Sequence, residues 1–372
     1  MKINSLEIFI KALRDSPFMI KNVIYKKITI GMVKPFKIFL GSSDAYDGFI
    51  LKIETDDGLT GYGEAVPTSF ITGDTLGSIE EELKGIANLI KSDEESPELI
   101  NEKIKKNFKT ARASRAAVDM AIWDIIGKRA KMSVNKLIGN YRKEIKTSYT
   151  VDLAEPKYAI DMAKEFLKEG VQVFKIKLGS GINKDVERVK VVRETIGNDK
   201  MIYVDFNQAY DAKKALNIID KIYKYNIEFA EQPVLAADIK GLKFVRDRSA
   251  IPVMADEAIF SIYDAQNILS SEAADAINIK IMKSGGITDT IKLVDVAESF
   301  NVPAMIGCMV ETKLAVSAGL NVALGKKGVK YADLDGYTSL KEDVTVDGVE
   351  FIDGALKFKN YHGLGVKMKN IL

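Results

Sequence analysis

Val173-Phe174-Lys175-Ile176-Lys177, Met201-Ile202-Tyr203-Val204-Asp205, Glu228-Phe229-Ala230-Glu231, Val253-Met254-Ala255-Asp256 and Ala276-Ile277-Asn278-Ile279-Lys280 follow one another along residues 173–280. Each run is short, largely apolar and ends on a charged residue, as expected of a buried parallel strand with a polar tip. Amphipathic helical stretches separate them, at 184–195, 212–225, 239–246 and 262–270. The rhythm extends outward to strands at 147–151, 304–308 and 331–333 and to helices at 157–168, 287–300 and 314–324. From Lys177 through Asp205, Glu231, Asp256, Lys280 and Cys308 to Asp333, the strand ends lie 28, 26, 25, 24, 28 and 25 residues apart. Eight such units predict an α/β fold, a (β/α)₈ barrel of the TIM type. An open doubly wound sheet would carry a glycine-rich phosphate loop after its first strand, and the sequence has none.

The barrel leaves part of the 372-residue chain unexplained. Residues 19–140 read as an α+β capping domain, with strands at 20–30, 49–55 and 59–64 around the turn Asp57-Gly58. Helices are expected at 75–92 and 114–129, the second presenting Ala117, Met120, Ala121, Ile125 and Gly127 for close packing. The barrel is assigned to 141–343. Residues 344–372, with turn signals at Asp347-Gly348 and Asp353-Gly354, are expected to return to the capping domain. Residues 1–18 precede a second methionine, Met19, and read as a dispensable leader or a mis-assigned start.

The 54 basic and 52 acidic residues leave a net charge of +2, without the concentrated basic excess of a nucleic-acid binder. No apolar run approaches the roughly 20 residues needed to span a bilayer. Residues 1–19 lack the uninterrupted apolar centre of a signal peptide. A single cysteine, Cys308, precludes an intrachain disulfide and fits a cytoplasmic location. The only histidine is His362, so a Ser-His-Asp triad, a His-rich zinc site and a histidine base would all depend on that residue. The chemistry must be built from carboxylates and lysines.

A barrel of this type works at the C-terminal ends of its strands. Asp205, Glu231 and Asp256 end three consecutive strands and should converge. Converging carboxylates repel, and a hard cation keeps them ionised; oxygen ligands favour Mg²⁺, with Mn²⁺ as a possible substitute. Lys175 and Lys177 share one face of the second strand, and Lys280 ends the sixth, across the ring. A lysine acts as a base when its pKa is lowered toward neutrality, and Lys175 and the metal are the candidate sources of that effect on Lys177. Bases on opposite sides of one carbon imply proton removal from one face and return to the other. The carbon inverts through an enediolate-like anion next to a carboxylate or amide carbonyl.

These strand endings resemble the enolase superfamily and, within it, the muconate-lactonizing subgroup. The anchors are Lys175-Ile176-Lys177, Asp205-Phe206-Asn207, Glu231-Gln232-Pro233, Ala255-Asp256-Glu257 and Asn278-Ile279-Lys280. The resemblance implies Asp205, Glu231 and Asp256 as ligands of one Mg²⁺ per subunit and Lys177 and Lys280 as the acid/base pair. It implies that Lys175 assists binding of the substrate carboxylate or carbonyl. Ile71-Thr72-Gly73-Asp74-Thr75 and Asp333-Leu334-Asp335 are similar to segments of dipeptide epimerases. In those enzymes the two aspartates hold the substrate α-ammonium, and paired carboxylates suit its three donors. Cys308-Met309-Val310-Glu311-Thr312 is similar to their strand-seven segment, which lines the substrate backbone together with the residue matching Thr150.

The resemblance therefore implies a dipeptide epimerase acting on a small-molecule dipeptide as a homo-oligomer, with no nucleic-acid or membrane partner. The alternatives are a muconate cycloisomerase, an o-succinylbenzoate synthase or an N-succinylamino acid racemase; outside enzymes, a catalytically dead barrel kept for binding. One departure bears on specificity. Epimerases of Ala-Glu tend to carry an arginine in the loop after Lys34-Pro35-Phe36-Lys37, and this chain has Gly41 there, in a loop read as 40–47. Without that clamp the second substrate residue is expected not to be glutamate, with apolar, aromatic and cationic residues left open.

Overall fold

The computed structural model describes residues 19–92, 96–359 and 362–372. The reading of residues 1–18 lies outside them. Three antiparallel strands open the described chain: β1 (Ile20–Ile38), β2 (Gly41–Thr55) and β3 (Thr60–Ala65), in the order β1-β2-β3. The segment read as a loop at 40–47 is mostly strand, because Phe36 pairs with Ser43 and Ile38 with Gly41 beyond a bulge between Gly31 and Phe36. Pro35, which has no N–H for a ladder, sits in that bulge and masks the strand in the sequence.

Helices α1 (Leu76–Ile90), α2 (Pro97–Asn107), α3 (Arg112–Arg129) and the short α4 (Val134–Leu137) complete the cap. α2 escaped the sequence reading because it buries only Ile100, Asn101 and Ile104. Its start signal is present: Ser96 accepts from Leu99 N at 3.3 Å, and Pro97 stands in the first turn. β3 and α3 approach closely. A Cβ on Gly61 would stand 1.9 Å from the Ala121 carbonyl oxygen, and one on Gly63 1.8 Å from that of Ala117.

After β4 (Ile145–Lys146), eight parallel strands run β5 (Ser148–Val151), β6 (Val173–Lys177), β7 (Met201–Asp205), β8 (Ile227–Glu231), β9 (Val253–Ala255), β10 (Ala276–Lys280), β11 (Ala304–Gly307) and β12 (Val329–Asp333). They form one sheet in that order, so the α/β barrel with an α+β cap is the observed architecture. The helices between them are α5 (Pro156–Lys168), α6 (Ile182–Ile196), α7 (Ala212–Ile222), α8 (Ile239–Arg246), α9 (Ile262–Ser270), α10 (Ile281–Ser284), α11 (Ile287–Ser299) and α12 (Lys313–Gly325). The eighth strand is followed by a 3₁₀ turn, Gly336–Ser339, in place of a helix. Side chains fasten the seam between β12 and β5: Leu334 N donates to Thr147 Oγ1 at 2.8 Å and Thr150 N to Asp335 at 2.8 Å.

The C-terminal segment contributes β13 (Thr345–Asp347), β14 (Val349–Ile352), β15 (Ala355–Phe358) and β16 (Lys367–Met368). β15 pairs with β4 below the barrel, while Gly363 O accepts from Val134 N and Leu364 N donates to Asp124 in the cap. No helix among the described residues is long and apolar enough to cross a membrane.

Candidate active site

Parallel register sets the strand tips level: Lys177 pairs with Asp205, and Asp205 with Glu231. Carboxylate oxygens of Asp205, Glu231 and Asp256 lie within 4.8 Å of one another, and all three residues are fully buried. Lysines compensate the repulsion. Lys175 Nζ lies 3.0 Å from Asp205 Oδ2, 3.0 Å from Glu231 Oε2 and 2.7 Å from Asp333 Oδ2. Lys177 Nζ donates to Asp205 Oδ2 at 2.8 Å and to Asn207 Oδ1 at 2.9 Å. Lys280 Nζ meets Asp256 Oδ2 at 2.8 Å from the other side of the ring.

Burial opposes the charge on each of these groups, and the neighbours decide the outcome. Asp205 is pushed up by burial but held down at about 2 by Lys175 and Lys177. Burial likewise opposes Asp256, which Lys280 and Lys283 hold far below the usual range. Glu231 is raised to about 8 by burial and the Asp205 charge, and Glu257 to about 7 by burial and Asp256. Lys280 does not follow the expectation of a lysine lowered toward neutrality. Burial lowers it, but Asp256 outweighs burial and holds its ammonium well above the ordinary value.

The residues fit a divalent ion. Ionising all six carboxyls (Asp205, Glu231, Asp256, Glu257, Asp333, Asp335) against four ammoniums (Lys175, Lys177, Lys280, Lys283) would leave two negative charges unbalanced, which a divalent ion would neutralise. Glu257 Oε2 is buried without a hydrogen-bond partner, while Glu231 Oε2 and Asp256 Oδ2 each face one lysine ammonium, Lys175 at 3.0 Å and Lys280 at 2.8 Å. Carboxylates this buried and this close together are costly to ionise at once unless a cation joins them, and the Asp205, Glu231 and Asp256 oxygens are placed to share one.

Above the triad lies a cavity of about 370 Å³. Thr150, Lys175, Lys177, Lys280, Cys308, Met309, Val310, Asp333 and Asp335 all line it, so the structure brings every non-metal residue of the sequence reading together. Asp205, Glu231 and Asp256 lie behind the lysines. Asp333 accepts from Ser148 Oγ at 2.7 Å, and Lys175 lowers its carboxyl against the effect of burial. Burial and Asp333 raise Asp335 to about 6. Cys308 Sγ accepts from Gly336 N at 3.3 Å, and burial pushes its thiol well up, which disfavours a nucleophilic thiolate. From the cap come Ile38, Gly41, Val66, Phe70 and Ile71.

Several residues gained no role from sequence. Asn207 accepts from Lys177 and donates to Glu257 at 3.0 Å; Asn278 donates to Glu231 at 2.7 Å. Both stood inside the quoted motifs, and their amide chemistry beside a carboxylate was the available signal. Lys283 grips Asp256 through its carboxylate and its carbonyl. It lies three residues past Lys280 on α10, a helical turn that nothing in the local sequence announces.

Fold and site together define an enolase-superfamily enzyme. Residues 21–139 match the mandelate racemase / muconate lactonizing enzyme N-terminal domain, and residues 159–371 match the enolase C-terminal domain-like family. The hydrophobic dipeptide epimerase of Enterococcus faecalis is 37% identical over 351 residues, 93% of this chain and 99% of that protein. The substrate-liganded L-Ala-D/L-Glu epimerase of Bacillus subtilis is similar with a TM-score of 0.91 at 33% identity, over 93% of this chain and 98% of that one. The dipeptide epimerase of E. faecalis V583, complexed with Mg and L-Leu-L-Tyr, gives a TM-score of 0.91 at 35% identity, over 94% and 99%. The chain belongs to the dipeptide epimerase family of the enolase superfamily and is an isomerase.

Proposed function

We propose that this protein is a Mg²⁺-dependent dipeptide epimerase that inverts an α-carbon by 1,1-proton transfer between Lys177 and Lys280. One observation carries the reading: the two ammoniums enter a single cavity from strands four apart in the ring, each held by a different carboxylate of the acidic triad. Asp205, Glu231 and Asp256 would hold the ion. When bound, it supplies Lewis-acid stabilisation of negative charge on the substrate's carboxylate oxygens. One lysine takes the α-proton from one face, and the other, as an ammonium, returns a proton to the opposite face. Asn207 fixes the direction of the Lys177 ammonium. Lys175 assists in holding the substrate carboxylate. Asp333 and Asp335 receive the α-ammonium, and Thr150, Cys308, Met309 and Val310 flank the peptide backbone.

The cap side of the cavity presents Ile38, Val66, Phe70 and Ile71 around Gly41, beside the polar Lys34, Ser42, Ser43, Asp47 and Thr68, and the apolar group supports an apolar or aromatic second residue. The name of the 37% identical E. faecalis relative supports the same choice. The cycloisomerase, o-succinylbenzoate synthase and N-succinylamino acid racemase readings are not favoured, since relatives at 33–37% identity are mostly dipeptide epimerases, with one N-succinyl-L-Arg/Lys racemase, of Bacillus cereus, at 33%. The test is α-proton exchange and epimer interconversion in deuterated water. Lys177→Ala and Lys280→Ala should each slow epimer interconversion by about 10²–10⁴-fold, the usual range for general acid–base catalysis, while the remaining lysine can still exchange the α-proton of the epimer it faces. Near-normal interconversion of the epimers in either variant rejects the two-base scheme.

A further inference from the structure

A second cavity, of about 250 Å³, lies between the cap and the barrel, away from the dipeptide site. Lys105, Lys109, Arg112 and Arg115 line it from the cap, against a single lining carboxylate, Asp289 on α11. Asp289 is already shared: Lys105 Nζ stands 2.6 Å from it and Arg115 is bound to it as well. Arg115 also donates to Ser284 O at 2.8 Å. Lys109 and Arg112 have no carboxylate within ion-pair distance among the described residues; Asp74 is Arg112's nearby charge, beyond that distance. The Arg112 guanidinium lies 5.0 Å from the Phe260 ring centroid, so a ring positions it and leaves its N–H groups unclaimed.

The barrel wall adds further donors. Ile262 and Tyr263 line the cavity in the first turn of the nine-residue helix α9, where backbone N–H groups have no intrahelical partner. Ser261 caps that helix by accepting from Asp264 N at 3.2 Å. Asp264 is the acidic residue of this turn, and its carboxylate accepts from Phe260 N and Ser261 Oγ. Lys109 and Arg112, which have no carboxylate of their own among the described residues, and a helix start therefore line one hollow with the Lys105–Asp289–Arg115 cluster. Arginine and lysine in this arrangement recognise oxyanions.

We propose that this cavity is an oxyanion-binding site, for a phosphate-type dianion or a molecule carrying one. Phe108, Phe260 and Tyr263 leave apolar wall for an organic remainder. The site sits one ring away from the acidic triad: Lys283 Nζ, which holds Asp256, lies 5.6 Å from the same Phe260 ring.

The chain carries its own reporter. Its single tryptophan, Trp123, donates to Thr288 Oγ1 at 3.0 Å, next to Asp289. Titrating the full-length protein with inorganic phosphate at constant ionic strength should give a saturable change in Trp123 fluorescence and a matching calorimetric isotherm. Lys109→Ala/Arg112→Ala, which alters two side chains outside the dipeptide cavity, should weaken phosphate at least about tenfold, as loss of charge-assisted hydrogen bonds implies. The same variant should keep dipeptide exchange. Binding equal in the variant, or no saturable binding, overturns the proposal. Either result leaves the epimerase reading intact, because the site shares no residue with it.

Discussion

Lys175 and Lys177 leave one strand two residues apart, yet their ammoniums do different work. Lys175 sits among three carboxylates, whereas Lys177 touches one carboxylate and one amide. Sequence alternation placed both on the inner face and the resemblance gave them different roles, but their different partners are seen only in the structure. The same limit applies at Gly41. The missing arginine was legible, but the ring that fills its space was not: a Cβ on Gly41 would stand 3.3 Å from Phe70. Gly41→Arg alone should therefore leave Ala-Glu a poor substrate. Gly41→Arg/Phe70→Ala should raise kcat/KM for Ala-Glu by about tenfold or more, the scale of a hydrogen-bonded charge pair. Comparing the two variants on Ala-Glu and on an apolar dipeptide checks this, and an equal gain from Gly41→Arg alone would sink the Phe70 argument. Asp335→Asn should raise KM for a free dipeptide more than it lowers kcat, and should have little effect on an N-acylated analogue.

Between elements, one carboxylate gathers several bonds between the cap and the barrel. Glu64, on β3, accepts from Tyr46 OH at 2.9 Å, from Thr312 N at 2.9 Å, from the Thr312 hydroxyl and from Ala315 N at 3.1 Å. It thereby caps the start of α12 from another domain. Glu64→Ala strands several buried donors at roughly 1–3 kcal/mol each, so stability should fall by about 3 kcal/mol or more, read as a drop in urea midpoint. A loss under about 1 kcal/mol would mean the clamp is not structural. Local pattern could not show this bond, whose partners lie 248 residues apart. What pattern did show was the barrel. Runs such as 201–205 and 276–280 are buried along their length and read as strands without alternation. It failed where burial is thin, as in α2, and where Pro35 interrupts β1.

For the whole molecule, the metal and pH dependences follow from buried charge. A cation that binds only the folded chain stabilises it by about 2.7 kcal/mol at a hundredfold excess over Kd. Thermal unfolding should thus shift upward with Mg²⁺ in the wild type and far less in Asp205→Asn. The pH dependence of the metal-stripped protein has a definite sign. Burial raises Glu64 to about 7, Glu311 to about 8 and Asp119 to about 6. Carboxyls raised on folding stabilise most below their unfolded values near 4, and that contribution is lost as the pH rises through 6 to 8. The denaturant midpoint should accordingly fall from pH 5.5 to pH 8, with a shallower fall in Glu311→Gln. A midpoint rising across that window would contradict the assignment.

The most direct test of the central claim is a dipeptide library incubated with the protein and Mg²⁺ in deuterated water, read by mass and by epimer separation. Dipeptides with an apolar or aromatic second residue should gain one deuterium and appear as both epimers, with neither change in the Lys177→Ala/Lys280→Ala variant. Exchange without inversion, or no exchange in any dipeptide, would contradict a two-lysine epimerase.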